Sequence, residues 1–467
     1  MSIIQNADKT LKNIAYEKAH REYGHNLPVI VQDRLETELK IIIQHDYSEM
    51  FMISQEIAQQ LRDDDYPFCY SGVIGSSLVA YLAGITNVNP LPPHWHCQKC
   101  CHSEFVTDGT YASGFDLPDN DCPDCGEPMT KDGHDIPYAV LFGIDGGRKP
   151  YIAITIPMHE QPFVKRFIEQ LLLGKDNVSI TETVEPPPYE TMKPYVQVHL
   201  GEHTLYILKY NELDLLKKLE DNTHCSLLDI SFDDFHTLSS IRFAEPPGFE
   251  EWRYETSMRG IKGFSDPDVC QILSEIKPNC FSELVKISSL SHGSGTWWGN
   301  AEALIRDGVC TISNVVANRD DVMLYLIRKG IKPSDAFRIM ETVRKGKKVD
   351  RDTEEMLKAH DIPGWYIASC RKIQYLVPRA HDVSCVMAAY QLAYYKAHYP
   401  EDFYRAYIEV FADKSDIEVI KDGKNKVNEE LDKIMDAKYL GKGMEEWEEK
   451  LNLFKIAHEM YLRGYTL

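Results

Sequence analysis

Most of the chain has helical periodicity, broken by one polar, loop-rich stretch and two short apolar runs. Leu35, Leu39, Ile42 and Ile43 fall at helical spacing between charged positions, which predicts helices over residues 1–66. Gly72-Val-Ile-Gly-Ser-Ser77 is a glycine–serine turn that opens the apolar segment Leu78–Ile85. Pro90-Leu-Pro-Pro93 is a stiff lead into a polar region. Residues 107–146, rich in Gly, Asp and Pro, read as loops that need something other than a core to hold them. Tyr151-Ile-Ala-Ile-Thr-Ile156 reads as a buried strand, and Thr204-Leu-Tyr-Ile-Leu208 keeps the same apolar pattern. Between them, residues 181–194 with Glu185-Pro-Pro-Pro188 read as a polar connection. Helical spacing returns from Asp266 to about Phe411, punctuated at Gly293, Gly330, Gly346 and Pro363. The charged tail from Asp413 closes on one amphipathic helix, roughly Glu445 to Arg463. The expected fold class is α+β, with a mostly helical second half.

A chain of 467 residues predicts two to four domains. At 43% hydrophobic and 26% charged it has an ordinary globular composition. It contains no apolar run of about 18 residues, so no membrane partner is expected. Met1-Ser-Ile-Ile-Gln-Asn-Ala-Asp8 has neither a basic start nor an apolar run, so no signal peptide is expected and the cytoplasm is the expected location. In a reducing compartment, paired cysteines read as metal ligands. A net charge of −21 repels phosphate, so nucleic-acid binding would need a local basic track. Residues 319–351 carry ten Lys or Arg against five acids. They form either such a track or a solvated helical face.

Two knuckles, Cys97-Gln-Lys-Cys100 and Cys122-Pro-Asp-Cys125, stand 21 residues apart. Each Cys-x-x-Cys turn aims two sulfurs at one centre, and two turns complete a tetrahedron. Cys97, Cys100, Cys122 and Cys125 are therefore expected to hold a structural Zn2+ with no open position. Cys101, His96 and His102 lie beside the first knuckle. The scattered Cys69, Cys225, Cys270, Cys280, Cys310, Cys370 and Cys385 are expected to be core residues.

Several ordered segments resemble PolC, the replicative DNA polymerase III alpha subunit of low-GC Gram-positive bacteria. Pro90-Leu-Pro-Pro-His94, both knuckles, Gly114-Phe-Asp-Leu-Pro118 and Asp132-Gly-His-Asp-Ile-Pro137 are similar to that family's zinc segment. Phe281-Ser-Glu-Leu-Val285, Leu290-Ser-His-Gly293, Asn318-Arg-Asp-Asp321, Ile339–Gly346, Trp365–Cys370 and Pro378-Arg-Ala-His381 resemble its fingers, and Ala457–Tyr465 a later stretch. The resemblance implies a polymerase palm with an inserted zinc module, followed by fingers. It also implies an N-terminal palm-like part over 1–93, the zinc module over 94–147, a shortened palm remnant over 148–250, helical fingers over 251–412 and a charged helical tail over 413–467. Relative to the family, the chain is expected to lack the OB-fold, exonuclease, PHP and helix-hairpin-helix regions and the clamp-binding motif.

The departures bear on chemistry. Such polymerases join nucleotides by two-metal phosphoryl transfer, with carboxylates holding the ions. The family's Pro-Asp-Ile-Asp-Leu strand matches Pro150-Tyr-Ile-Ala-Ile154, and its Lys-Leu-Asp-Ile-Leu strand matches the run around Tyr206. Tyr151, Ala153 and Tyr206 therefore stand where the aspartates are expected, and catalytic Mg2+ is not expected to bind. The resemblance assigns nucleotide or DNA contact to Gly72, Gly75, Ser76 and Ser77 of the turn, and to His292, Gly293, Arg319, Arg379 and His381 of the fingers. Arg344, Lys345 and Lys347 belong to the basic track.

Three readings stand. The first is a catalytically inactive PolC-like protein acting in DNA replication as a decoy or regulator. It would bind primer–template DNA or nucleotide weakly, or engage replisome proteins or the true replicative polymerase. The second is an active or residual DNA-directed DNA polymerase, and the third a zinc-stabilised interaction scaffold.

Overall fold

The computed structural model describes residues 6–158, 161–172, 178–182, 194–242, 258–439 and 444–467. Two compact units emerge. The first comprises residues 1–156, 160–209 and 280–386, and the second residues 157–159, 210–279 and 387–467.

The first unit opens with three helices, Ala7–Tyr23, Val29–Gln44 and Ser48–Asp63, as the periodicity predicts. Their apolar stripes close over a sheet of five strands in the order β1-β5-β8-β7-β6. These strands are β1 Cys69–Ser71, β5 Ile152–Ile156, β6 Val178–Glu182, β7 Pro194–Leu200 and β8 His203–Lys209. Only β5 and β8 pair in parallel. Strand side chains alternate between faces. Ile152, Ile154, Ile156, Val196, Val198, Leu205 and Ile207 therefore join the helices in one core, and Ala153 and Tyr206 take the other face. The expected connection at Glu185–Pro188 lies outside the described residues, but its flanks, Thr181–Glu182 and Pro194, belong to strands.

A second sheet of three short strands, β2 His94–His96, β3 Ser103–Phe105 and β4 Thr130–Asp132, carries the knuckle segment. The fingers-like helices of this unit include Phe281–His292, Arg319–Arg328, Pro333–Arg344, Arg351–Ala359 and Gly364–Lys372. The last four pack around Val322, Leu326, Ile339, Val343 and Leu376. Arg319–Arg328 starts at a reciprocal capping box of Asn318 and Asp321.

The second unit is helical. Lys396, from the helix Arg379–His398, is 3% exposed and pairs with Glu459 at 3.1 Å, and Tyr404 Oη donates to the same carboxylate at 2.7 Å. Burial draws the Lys396 ammonium down to about 8. Among the described residues the tail closes on the expected helix, Met444–Leu462, and two further helices, Lys414–Lys421 and Lys424–Tyr439, precede it. These two alternate too irregularly between charge and apolar residues for a single stripe to stand out. Of the scattered cysteines whose burial is described, Cys370 is buried as expected, whereas Cys225, Cys270, Cys280, Cys310 and Cys385 are half-buried, because each lies at the edge of a packed face.

Candidate metal centre and nucleotide-facing site

The two knuckles fold alike. Cys97 N–H donates to His102 O and Cys122 N–H to Glu127 O, both at 2.8 Å. Cys101 N–H returns to Cys97 O and Gly126 N–H to Cys122 O, again at 2.8 Å. These turns bring all four sulfurs within 4.8 Å of one another, with Cys97–Cys125 at 3.5 Å and Cys100–Cys122 at 3.3 Å. Zn–S bonds of about 2.3 Å in a tetrahedron put the sulfurs about 3.8 Å apart, so the donor set fits zinc. The thiols hold their protons unevenly. Backbone N–H groups of Cys100 and then Lys99 draw Cys97 down to about 6, while Cys100 is raised to about 12 and Cys125 is raised as well. The thiolates a metal needs would therefore come from proton release on binding. Four thiolates leave no position for substrate, so a zinc here stabilises the fold. Tyr23 Oη donates to His94 Nε2 at 3.1 Å, and His94 Nδ1 donates to Pro92 O at 2.8 Å, which pins β2 to the first helix.

The three positions matched to catalytic aspartates do come together. Ala153 lies opposite Tyr206 in the parallel register. The Tyr151 and Tyr206 rings stand 4.9 Å apart. None of the three is a carboxylate, so these residues do not fit a magnesium pair. Of the acids that adjoin these strands in sequence, Asp145 accepts from Gly147 N–H at 3.1 Å and Asp214 from Met158 N–H at 2.7 Å. Glu212 lies 3.9 Å from Lys262.

The glycine–serine turn is already occupied from inside the protein. Ser77 Oγ donates to Glu38 Oε2 at 2.6 Å, and Leu78 and Val79 N–H donate to the same carboxylate at 3.1 and 3.2 Å. Glu38 is fully buried and ion-paired to Arg34, whose guanidinium also holds Ser76 O at 2.7 Å and Ile136 O at 2.9 Å. A carboxylate thus sits where a phosphate oxygen would take those donors. Ser76 is buried as well. A Cβ on Gly75 would lie 2.9 Å from Val88 and 3.2 Å from Ala380, so its glycine serves close packing. Gly72 differs: its N–H donates to His381 Nδ1 at 3.0 Å.

His381 lies 5.9 Å from the ring of His292. His292 is 37% exposed, and its Nδ1 is held 3.0 Å from fully buried Asp382, which also accepts from Ser288 and Ser289. Gly72, His292 and His381 therefore converge, with Gly293 capping the helix that carries His292. The arginines point inward. Arg319 is 3% exposed and donates to Leu376 O at 2.9 Å. Arg379 is 7% exposed and binds Asp321 at 2.8 Å, with His134 O and Asp135 O at 3.0 and 3.1 Å. Asp321 also takes Lys286 at 2.7 Å. Arg344 is buried against Glu341 at 2.5 Å, while Lys345 is exposed and pairs with the same carboxylate at 3.1 Å. Desolvation of Glu341 is outweighed by Arg344 and Arg148, which hold its carboxyl down at about 2. Lys347 is exposed, with no ion pair recorded among the described residues.

Comparison with known proteins fits this geometry. Residues 9–187 match the family described as the bacterial DNA polymerase III alpha NTPase domain, and residues 205–361 match the bacterial DNA polymerase III alpha subunit finger domain. The chain is 36% identical to the PolC-type DNA polymerase III of Caldanaerobacter subterraneus subsp. tengcongensis over 99% of its own length and 38% of the relative's. It is 35% identical to that of Bacillus subtilis and 34% to that of Thermotoga maritima, again over 99% of its length and 37% and 39% of theirs. The chain is a PolC-like relative of the DNA polymerase III alpha subunit. It spans well under half the length of these curated relatives. The first alignment runs over 535 positions against 467 residues here, so the relative carries insertions that this PolC-like chain lacks. Among the described residues, no helix is long and apolar enough to cross a membrane.

Glu38, Arg34, Asp321 and Asp382 were not singled out by sequence reasoning. Only Asp321 left a signal, the Asn-x-x-Asp capping box. A buried acid on a helix looks like any surface acid until its partners are placed.

Proposed function

We propose that this PolC-like chain does not itself join nucleotides. It acts in DNA replication, in the cytoplasm, as a decoy or regulator that binds primer–template DNA or nucleotide weakly, or that engages replisome proteins. One observation carries this reading: Ala153 and Tyr206 pair on neighbouring strands, and Tyr151, just before the first of them, sets its ring near Tyr206, at positions where the resemblance expects carboxylates. Without those ligands, neither the attacking nor the leaving oxygen is stabilised, at a cost on the order of three or more decades in rate. Cys97, Cys100, Cys122 and Cys125 hold a structural zinc. His292, His381 and Gly72 form the exposed end of the nucleotide-facing site. Lys345 and Lys347 provide contacts to DNA phosphates. The test is primer extension with magnesium or manganese by protein free of host polymerase. No extension is expected, and template-directed extension overturns the reading.

A second reading, a zinc-stabilised interaction scaffold, draws support from the inward use of Arg319, Arg344, Arg379 and Ser77. DNA binding with a negative slope in log salt separates the two, because a scaffold shows none.

A further inference from the structure

Trp298 is 55% exposed in the first unit, at the tip of a tightly held loop. The preceding Trp297 is buried at 3%. Gly299 takes φ 62°, a left-handed conformation that suits glycine. Its N–H donates to Glu302 at 3.0 Å, and Asn300 Nδ2 donates to Gly295 O and Ser369 O at 2.8 and 3.2 Å. An exposed indole on a loop fixed at both ends presents a flat apolar face at little entropic cost.

The surroundings of this indole are basic. Lys372 Nζ donates to Gly299 O at 2.6 Å, at the residue that follows Trp298 in the chain. That carbonyl is neutral, so the lysine charge stays uncompensated. Gln374 N–H donates to Ser294 O at 2.8 Å, and Ser294 N–H to Tyr375 O at 3.1 Å. The same segment continues to Leu376, whose N–H donates to Arg344 O at 3.3 Å. The Lys345–Lys348 turn is thereby docked on the segment that carries Lys372. A Cβ on Gly346 would lie 2.7 Å from Gln374 O, so the two backbones touch. Lys347 and Lys348 are exposed, with no ion pair recorded among the described residues. Of the nearby acids, Glu302 is shared with Arg306, Glu341 with Arg344 and Glu354 with Arg371, and Asp350 caps its helix by accepting from Thr353 N–H at 2.7 Å.

We infer that this surface binds single-stranded DNA, with an unpaired base stacked on Trp298 and the backbone phosphates on Lys372, Lys347 and Lys348. Stacking needs a free base face, which a duplex interior does not offer, while lysines bind phosphate in either form. The inference rests on the DNA-binding reading above and gives it a preferred form of DNA.

The test measures binding of a labelled oligothymidylate of about 16 nucleotides, near the upper single-strand site size, and of a duplex of equal length. Trp298→Ala is expected to weaken oligothymidylate binding roughly 5- to 150-fold and leave duplex binding unchanged. Trp298→Phe, which keeps a ring, should retain most of the affinity. Lys347→Glu with Lys348→Glu should weaken both forms and flatten the salt dependence. If Trp298→Ala binds the oligothymidylate as tightly as the parent, the stacking site is refuted while DNA binding through the lysines stands. If the parent binds neither form at low salt, the DNA-binding reading falls and takes this site with it. Unchanged zinc content and circular dichroism in each variant separate a lost contact from a lost fold.

Discussion

The knuckle segment and the palm-like sheet are both places where the PolC resemblance puts metal, and they have fared oppositely. The knuckles bring four cysteine sulfurs together, and the sheet sets Tyr151, Ala153 and Tyr206 where the resemblance expects carboxylates. The difference follows from what each region's fold leans on. In the knuckle segment, the small buried cluster is Cys97, Cys122 and Met129, with Trp95 and Cys125 against it, so the ligands are much of the core. In the sheet, the core is an aliphatic face packed on helices, opposite the face that carries Ala153 and Tyr206. Catalytic ligands can be replaced there without removing what holds the strands. Zinc ligands cannot, because structural zinc supplies folding free energy directly.

Removing one zinc ligand should have the largest effect. Structural zinc in small modules contributes about 10–16 kcal/mol. Cys122→Ser is expected to lower zinc from one ion per chain and open the segment around residues 97–132 to protease. Metal analysis after gel filtration, with limited proteolysis, measures both. A parent protein that folds cooperatively without metal would break the comparison at its root.

The Glu38 turn comes next, because it is held by a charge rather than a metal. Glu38→Ala strips the acceptor from Ser77, Leu78 and Val79 and leaves Arg34 facing a partly buried site without its partner. Breaking such a pair costs about 3–5 kcal/mol. Glu38→Gln keeps an acceptor and should lose less. Urea unfolding distinguishes them, and equal stability of all three proteins would remove Glu38 as the turn's anchor.

How far the sequence disclosed this molecule depends on the kind of interaction. The three N-terminal helices, β5, β8, the fingers helices and the knuckles all follow from local spacing, which is written in neighbouring residues. The parallel pairing that sets Ala153 beside Tyr206 is not written in local spacing; the resemblance named the two positions but not their register. The basic track stayed open between a DNA-binding track and a solvated face. Ten cations sit in residues 319–351, but charge counts do not say which way a side chain faces. Arg319 and Arg344 turn inward, and Arg328 pairs with Asp135 at 2.5 Å. The inward use of Ser77 at the glycine–serine turn was hidden for the same reason, since Glu38 lies some 40 residues away in sequence. Trp298 needed exposure to be noticed at all.

Ala153→Asp sharpens the contrast on the sheet side. Ala153 is fully buried, so the new carboxylate meets an apolar environment. Without an ion, the cost is expected to be about 2–4 kcal/mol. Combining it with Tyr151→Asp and Tyr206→Asp should restore little primer extension, because supporting contacts around the ligands are needed as well. Thermal melting with and without magnesium reads this directly. A magnesium-dependent rise in Tm in the triple variant would show that the sheet still encloses an ion site, since only native-state binding raises Tm.

The smallest effect tests how strictly the zinc segment is sealed. His134 is fully buried beside Ser113 Oγ at 3.2 Å, with its ring 4.9 Å from Phe115 and 5.9 Å from Phe281. Arg379 grips its carbonyl, and the adjoining cavity of about 10 Å³ has room for at most about one water. Burial, reinforced by Arg379 and His94 against the pull of Asp132, draws the imidazole down to about 4. As pH falls below about 6.5, the unfolded chain takes up a proton that the folded chain refuses. The stability His134 permits is therefore intact above about 6.5 and is lost progressively toward 4. The loss is about 2 kcal/mol by pH 5 and at most about 3 kcal/mol. Zinc thiolates titrate in the same acid range, so the parent must be compared with His134→Gln at each pH, where the knuckles contribute equally to both. The parent's stability should fall relative to the variant's between pH 6.5 and 5. Parallel curves would mean that the buried imidazole accepts its proton in place, and that the zinc segment opens more readily than its packing implies.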